Sequence, residues 1–442
     1  MPYVNKTFTS IPDLAAHVRG HGPSFFHSSR TSTVIAYDKL ENDLLWGQDD
    51  FTIGNLSQIP GEMTLNPENG NLTVRGSATW EEADRFLRAR GRAIMTSPTE
   101  QLALVTAGVA TSCTGERCFS FGNLRQQIVR LKYLDHNGDE RELRQDKPFK
   151  TFSPHWEQYC EDFRAYANYK NAPYPRFETE TDLMIGTEGQ LGVVTEVEIK
   201  TAEDFAVNHV FLLLPRWEED LTPHLEIYRA VQKWRQEVIS CELLDSNCMD
   251  YLKPDERLGE RQDVVFMEIR AADFDRVYTE LLMELQLTTA DNVFEIPKVK
   301  FHQVRAGVPR AVFEENTRMG VKKMGTDCQV DPAHFEALML FYREAAQLGV
   351  RYNLFGHFGD AHLHYNYMPR PEETARCQEV FLKLYDKVLE WHGSPFAEHG
   401  IGLMKQKFIQ KFHGPAQKGL FADLKKIHDP HGQFFPQGFM AT

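Results

Sequence analysis

Three histidines fall within eight residues in Gly356-His357-Phe358-Gly359-Asp360-Ala361-His362-Leu363-His364-Tyr365-Asn366-Tyr367. Beyond the Gly359-Asp360 turn, His362, His364 and Asn366 alternate with Leu363, Tyr365 and Tyr367, which is the two-residue period of a strand with imidazoles on one face. A turn after His357 would return it beside His364, pairing two neutral imidazoles, donors suited to a divalent transition metal. The same pattern also suits a polar strand face with surface histidines, because this spacing is not a dedicated metal signature. In Ala397-Glu398-His399-Gly400-Ile401-Gly402 a carboxylate and an imidazole stand together among small residues that permit close approach. Glu398 would complete a His/His/Glu set with open coordination positions, leaving His399 as a base. A surface Glu-His pair is the alternative for that segment.

Glycine clusters in Gly186-Thr187-Glu188-Gly189-Gln190-Leu191-Gly192 and recurs at Gly108, Gly115 and Gly122. Such segments let backbone amides approach a phosphate or a cofactor ring. Neither is the G-x-G-x-x-G fingerprint, so a nicotinamide fold is not supported; ordinary turns would explain each cluster by itself.

The elements that position these residues are legible in outline. From about Val34 to Glu142 the pattern is β-rich with short helices. Asn71 to Gly76 reads as a strand. Thr79-x-x-Glu82 reads as a capping box, opening a helix that carries Trp80, Ala83, Phe86 and Leu87 at helical spacing and stops at Gly91. Ile128 to Leu134 with Asn137-Gly138 predicts a hairpin closed by a tight primed turn. Residues 147–180, rich in Pro, Tyr, Phe and charge, read as a long loop. Val193 to Ile199 is strand-like. Asp331-Pro332 begins a helix with Phe335, Leu338, Phe341, Tyr342 and Ala345 on its apolar positions, ending at Gly349. Composition shifts near Asp204, where a domain boundary is expected.

The chain has 442 residues, 42% of them hydrophobic and 25% charged, a length that favours two domains. Its 49 basic and 63 acidic residues leave a net charge of −14, which disfavours a nucleic-acid partner. No apolar run approaches the roughly 20 residues of a membrane-spanning helix, and no signal segment is evident, so the cytoplasm is the expected compartment. The seven cysteines show no CxxC spacing and read mostly as buried thiols.

Taken together, the motif segments resemble a known family. Gly186 to Thr195 resembles the GTEG-x-LG-(I/V)-(I/V)-T segment of flavoproteins with the vanillyl-alcohol-oxidase type FAD domain. His357 to His364 resembles the H-x-GDGN-x-H segment, and Glu398 to Gly402 the EHGIG segment, of the D-lactate, D-2-hydroxyglutarate and glycolate dehydrogenase branch. Asp429-Pro430-His431-Gly432 resembles the DP-x-G turn near the end of such chains. His27-Ser28-Ser29-Arg30-Thr31-Ser32 stands where the family has RGGGTS, keeping Thr31 and Ser32 but no glycine; it also lies nearer the amino terminus than is usual, implying a shortened first subdomain. Thr106 to Ala110 with Gly115, then Phe121-Gly122, resemble the elements that wrap the flavin. In the metal segment, His362 takes the place of an Asn that sits close to the flavin and substrate.

The resemblance implies an α+β chain: a two-subdomain FAD-binding domain at 1–203, an α+β substrate (cap) domain at 204–395, and a segment at 396–442 that returns to the flavin site. It implies FAD held by Ser28, Ser29, Arg30, Thr31, Ser32, Thr106, Gly108, Gly115, Gly122, Glu188, Gly189, Gly192 and Val193, with His362 beside it. It implies a divalent ion, Zn or Mn, on His357, His364 and Glu398, with His399 as general base and Arg305 and Lys323 facing the carboxylate of a small D-2-hydroxy acid. The electron acceptor, whether quinone, flavoprotein or cytochrome, and the oligomeric state, a homodimer included, stay open. The competing readings are an oxidase or alkyl-transfer synthase of the same fold, and a degenerate flavoprotein serving as a binding or scaffold subunit.

Overall fold

In the computed structural model, which describes residues 3–32, 34–35, 51–166, 169, 174–259, 261–285 and 290–441, the chain separates into two units. The first comprises Met1–Gly115, Asn123–Asp204 and Glu398–Thr442, the second Glu116–Gly122 and Phe205–Ala397. The excursion of seven residues, Glu116–Gly122, into the second unit has no counterpart in the sequence expectation.

The first unit holds a parallel sheet of β1 (Tyr3–Thr7), β2 (Ser24–His27) and β3 (Phe51–Asn55) in the order β1-β3-β2. Its larger sheet is antiparallel, with β4 (Glu62–Leu65), β5 (Leu72–Arg75), β7 (Ile128–Leu134), β8 (Glu140–Arg144) and β9 (Val193–Ile199) in the order β4-β5-β9-β7-β8. The short strands β6 (Arg92–Ala93) and β10 (Ala202–Glu203) pair with each other. The helix Trp80–Arg88 begins as its sequence predicts: Thr79 and Glu82 form a reciprocal capping box, and Trp80, Ala83 and Leu87 are buried. Phe8, Leu14, Val18, Leu134, Val193 and Phe434 form one apolar cluster, tying the helix Ile11–Val18 to β7, β9 and the carboxy-terminal segment.

Two local expectations are corrected. The β7–β8 hairpin exists, but of the turn pair only Gly138 has a positive φ, +69°. The Asp135 carboxylate accepts the Asn137 and Asp139 N–H groups and holds the turn in a form that a primed pair, with both residues left-handed, would not permit. Residues 147–180 are also not simply a loop, since they contain the helix Trp156–Asp162 and a 3-10 turn at Arg164–Tyr166, and a second 3-10 turn, Glu180–Leu183, begins at their end. Trp156, Tyr159 and Phe163 lie at helical spacing, and the Tyr159 ring packs on Trp156, Phe163 and Phe177. Residues 167–168 and 170–173 of that stretch lie outside the described residues.

The second unit is built on an antiparallel sheet of β11 (Val207–Leu214), β12 (Val238–Leu244), β13 (Asp263–Arg270), β14 (Val293–Ile296), β15 (Met324–Gly325), β16 (Cys328–Gln329), β17 (Tyr352–His357) and β18 (His362–Tyr367). The order is β14-β11-β13-β12-β17-β18-β15, with β16 also pairing β18. Phe211, Val264 and Phe266 of the sheet pack with Phe301, Val304 and Val308 of the helix Lys298–Met319. The predicted helix after Asp331 is observed: the Asp331 side chain caps a 3-10 turn that runs into the helix Phe335–Ala346, which buries Phe335, Leu338, Tyr342 and Ala345. All seven cysteines are free, and six are buried. Among the described residues no helix is long and apolar enough to cross a membrane.

The Glu116–Gly122 excursion is fastened by Arg117, whose guanidinium donates two hydrogen bonds of 2.9 Å to the Glu268 carboxylate on β13. Burial disfavours charge on Glu268, yet Arg117 and His209 hold its carboxyl well below the usual range. Arg117→Ala would strand that carboxylate without its main counter-charge. Removal of one partner of a buried ion pair costs about 3–5 kcal/mol, so denaturant unfolding of the variant is expected to show a loss of that size.

Candidate active-site residues

The most concentrated chemistry lies in the second unit, where the β17–β18 hairpin brings the three imidazoles together. His357 is opposite His362 in the register, and the ring centroids are 5.2 Å apart for His357 and His362, 4.8 Å for His362 and His364, and 6.0 Å for His357 and His364. The turn between the strands is a 3-10 segment, Phe358–Asp360, closed by Ala361 in the left-handed region at φ +52°. Gly356 makes room for the cluster, because a Cβ there would lie 3.0 Å from His364 Cδ2 and its φ of +134° disfavours a side chain. All six residues of β18 are buried, so its histidines are not surface residues.

Each imidazole has a defined partner. His357 Nδ1 lies 2.8 Å from Glu242 Oε1 on β12, and His364 Nδ1 lies 3.2 Å from the Thr326 carbonyl oxygen. A carboxylate and a carbonyl can only accept, so both rings donate from Nδ1 and present the Nε2 lone pair. That is the tautomer that metal-ligating histidines take when an outer carboxylate or carbonyl orients them. His362 Nε2 lies 3.1 Å from Asp327 Oδ1, and both residues are fully buried. Asp327, His362 and His364 each offer a ligand atom within 4.8 Å of the others. The donor set of this unit therefore fits a divalent transition ion.

Sequence reasoning had missed Glu242, Asp327 and the Thr326 carbonyl. Glu242 did carry a signal: it is the one charged residue in the run Val238–Leu244, every residue of which is buried. His362, expected beside the flavin, stands within the imidazole cluster. Lys323 is exposed just before β15, whose Gly325 pairs with Asn366. A Cβ at Gly325 would touch Asn366 Oδ1 and lie 3.9 Å from Lys323 Cε, which puts the lysine stem at the Asn366 end of the imidazole face. Arg305, on the helix Lys298–Met319, is ion-paired with Glu116.

In the first unit, the GTEG and EHGIG segments meet. The half-buried Glu188 carboxylate accepts the Ile401 N–H at 2.7 Å and the Gly402 N–H at 2.9 Å, and the Tyr174 hydroxyl at 3.1 Å. Gly400, at φ +78°, allows this approach, since a Cβ there would come within 2.5 Å of Glu188 Oε1. Leu403 and Met404 N–H groups donate to the Val34 carbonyl, which brings the same segment back to the end of the 28–32 loop. Glu398 Oε2 accepts the Thr114 hydroxyl at 3.0 Å, and His399 Nε2 lies 3.5 Å from Glu398 Oε1.

The 28–32 loop leaves the carboxyl end of β2 in the parallel sheet, the end at which open parallel sheets bind ligands. Arg30 adopts φ +58°, a conformation suited to the glycine that the resembled loop carries, and its guanidinium lies 3.2 Å from His27 Nε2. Ser29 donates to the Leu102 carbonyl. Hydroxyls, backbone amides and one guanidinium on a single short loop are donors that fit a pyrophosphate. Other expected cofactor residues have packing reasons of their own. A Cβ at Gly108 would meet Cys113 Sγ at 2.8 Å, and one at Gly192 would meet Tyr133 Cδ2 at 2.6 Å. Gly115 lies against the Ser97 carbonyl, Thr106 is buried, and Gly122 ends the helix Cys118–Phe121. Gly189 stays open, with only the Gly192 carbonyl within 4 Å of an added Cβ.

A family model described as FAD binding domain matches residues 16–144, and one described as FAD linked oxidases, C-terminal domain, matches residues 225–437. The chain thus carries the two domains these models describe, an FAD binding domain and a C-terminal domain of FAD linked oxidases. A D-2-hydroxyglutarate dehydrogenase from Xanthomonas citri pv. viticola is 24% identical over 406 residues, covering 85% of this chain and 77% of that protein. The mitochondrial D-lactate dehydrogenase [cytochrome] of Kluyveromyces lactis is 21% identical over 388 residues, and the match spans 83% of this chain but only 61% of that longer protein. A D-lactate dehydrogenase from Anaerostipes hadrus is 22% identical, covering 97% of this chain and 91% of that protein. Among solved structures, p-cresol methylhydroxylase has a TM-score of 0.68 at 13% identity, covering 99% of this chain and 88% of the other, and shares the fold.

Burial pushes the Glu188 carboxyl up to about 7, against the stabilising N–H groups of Ile401 and Gly402 and the Tyr174 hydroxyl. A carboxyl raised above its unfolded value stabilises the fold fully below the unfolded pKa and loses that contribution as pH rises through the folded one. Thermal unfolding is therefore expected to shift downward between about pH 4.5 and 7.5, with a loss of about 2–3 kcal/mol from this group at about 1.4 kcal/mol per pKa unit. Glu188→Gln should flatten that part of the pH dependence; an unchanged profile would remove Glu188 from it.

Proposed function

We propose that this protein is an FAD-dependent dehydrogenase that oxidises a small D-2-hydroxy acid to the 2-oxo acid. The observation that carries this reading is the buried His357/His362/His364 cluster, with Glu242 and Thr326 orienting the two outer rings, in a chain that also has an FAD binding domain. The relatives named for D-lactate and D-2-hydroxyglutarate support the substrate class.

In this reading the 28–32 loop and the glycine segments around Gly108, Gly115, Gly122 and 186–193 hold FAD. His357 and His364 hold a Zn or Mn ion, with Glu398 carried over from the family motif as the third ligand. When bound, FAD would supply the hydride acceptor for C2 of the substrate, and a divalent ion would supply Lewis acidity toward its hydroxyl. The chain's own residues do the rest. His399 receives the hydroxyl proton on its imidazole, with Glu398 as its neighbouring carboxylate. Lys323 offers a point charge and Arg305 a bidentate fork to the substrate carboxylate, which would compete with Glu116 for the guanidinium.

Anaerobic addition of D-2-hydroxy acids to the purified flavoprotein is expected to bleach the flavin absorbance. A spectrum that no hydroxy acid changes would count against the reading, and a chain that takes up no FAD would favour a scaffold subunit. His399→Ala should keep FAD and metal while turnover falls by about 10²-fold or more; an active variant would exclude His399 as the base. Arg305→Ala should raise KM for hydroxy acids more than for an uncharged alcohol, and equal effects would exclude its carboxylate role.

A further inference from the structure

The His/His/Glu set is the arrangement that the family motif implies, but this chain departs from the motif at His362, where the motif has Asn. The departure does not stand alone. His362 is fully buried on β18, its Nε2 is 3.1 Å from Asp327 Oδ1, and Asp327 is fully buried too. Asp327 is placed by the backbone: Thr326 N–H donates to the Tyr365 carbonyl, and Cys328 and Gln329 pair with Leu363 and His362 on β18. The Ala397 N–H donates to the Asp327 carbonyl, which fixes the main chain at that residue from a second side. Asp327 is thus held against the imidazole face by strand pairing, so its position does not depend on the His362 contact.

Two donors on a tetrahedral ion, each at about 2.0–2.2 Å, are separated by about 3.4 Å. The His362 to Asp327 separation of 3.1 Å is close to that, and a ligand atom of His364 lies within 4.8 Å of both. A buried carboxylate and two imidazoles at this spacing form a complete three-donor site made by the second unit alone. We infer that Asp327 and His362 are metal ligands in this protein and hold the divalent ion together with His364. The proton between His362 Nε2 and Asp327 leaves to solvent as the ion takes its place. His357, oriented by Glu242, stands beside the ion as a further imidazole. Glu398 is then dispensable for holding the metal.

This inference rests on the proposed metal-assisted function and changes which residues carry it. The test is calorimetric titration of the full-length, chelator-stripped flavoprotein with ZnCl₂, with thermal unfolding of each stripped variant as the control for folding. The unmodified protein should bind one Zn²⁺. His362→Asn, which restores the amide of the family motif, and Asp327→Asn should each weaken binding at least tenfold, whereas Glu398→Gln should change it less than threefold. If Asp327→Asn does not unfold cooperatively, His362→Asn carries the test. Full Zn²⁺ affinity in His362→Asn, or its loss in Glu398→Gln, would overturn the inference while flavin bleaching by a hydroxy acid leaves the proposed function standing. An unmodified protein that is bleached yet binds no Zn²⁺ would overturn the metal site as a whole; one that is neither bleached nor binds Zn²⁺ would overturn both.

Discussion

Each polar side chain on the imidazole face of β18 meets another buried group, because an unmatched one there would cost several kcal/mol. The strand is buried along its whole length, and its polar face carries His362, His364 and Asn366. His362 meets Asp327, His364 meets the Thr326 carbonyl, Asn366 donates to Asn353, and His357 on the neighbouring strand meets Glu242. These pairings explain the order of that part of the sheet. β17 lies between β12, which brings Glu242, and β18, while the short β15 and β16 pair with β18 from the segment that carries Thr326 and Asp327. The opposite face of β18 is aromatic, with Tyr365 stacked on Tyr342 and Tyr352, and it supplies the apolar burial that holds the strand in place.

The first unit solves a different problem, which is to hold a returning carboxy-terminal segment against a glycine-rich one. Glu188 does this with one carboxylate and two backbone amides, and only a glycine at position 400 permits the approach. The arrangement fixes the main chain immediately after Glu398 and His399, whose side chains are further set by Thr114 and by each other. Asp429 serves similarly farther on, accepting the Gln433 and Phe434 N–H groups and the Lys425 ammonium. The DP-x-G turn seen in the sequence is thus a carboxylate-closed turn between the helix Pro415–His428 and the residues that pack beside β2.

Much of this was legible before any coordinates. The strand period of 362–367, the capping box at Thr79 and the helix after Asp331 follow from local patterns whose physics is short-range. What failed was also local in cause. Asn137-Gly138 suggested a primed turn, but an aspartate two residues earlier offered a competing hydrogen-bonded turn. The aromatic face of Trp156–Asp162 was hidden by surrounding prolines and charges. Glu242 and Asp327 escaped notice as members of the site because neither belongs to a spacing motif; each is a single carboxylate, far along the chain from its histidine.

By itself, then, the sequence determined the chemistry available: a run of imidazoles at strand spacing, a Glu-His pair, glycine segments fit for close backbone approach, and the motif pattern of a flavoprotein family. These are properties of residue type and of neighbours a few positions apart, where covalent geometry leaves little choice. Only the tertiary structure decided that His362 joins the imidazole cluster, that Glu242 and Asp327 are its carboxylates, and that Glu188 closes the first unit's carboxy-terminal return. Those contacts join residues 35 to 213 positions apart. Strand order and register set them, and both are outcomes of packing the whole unit rather than of any local pattern.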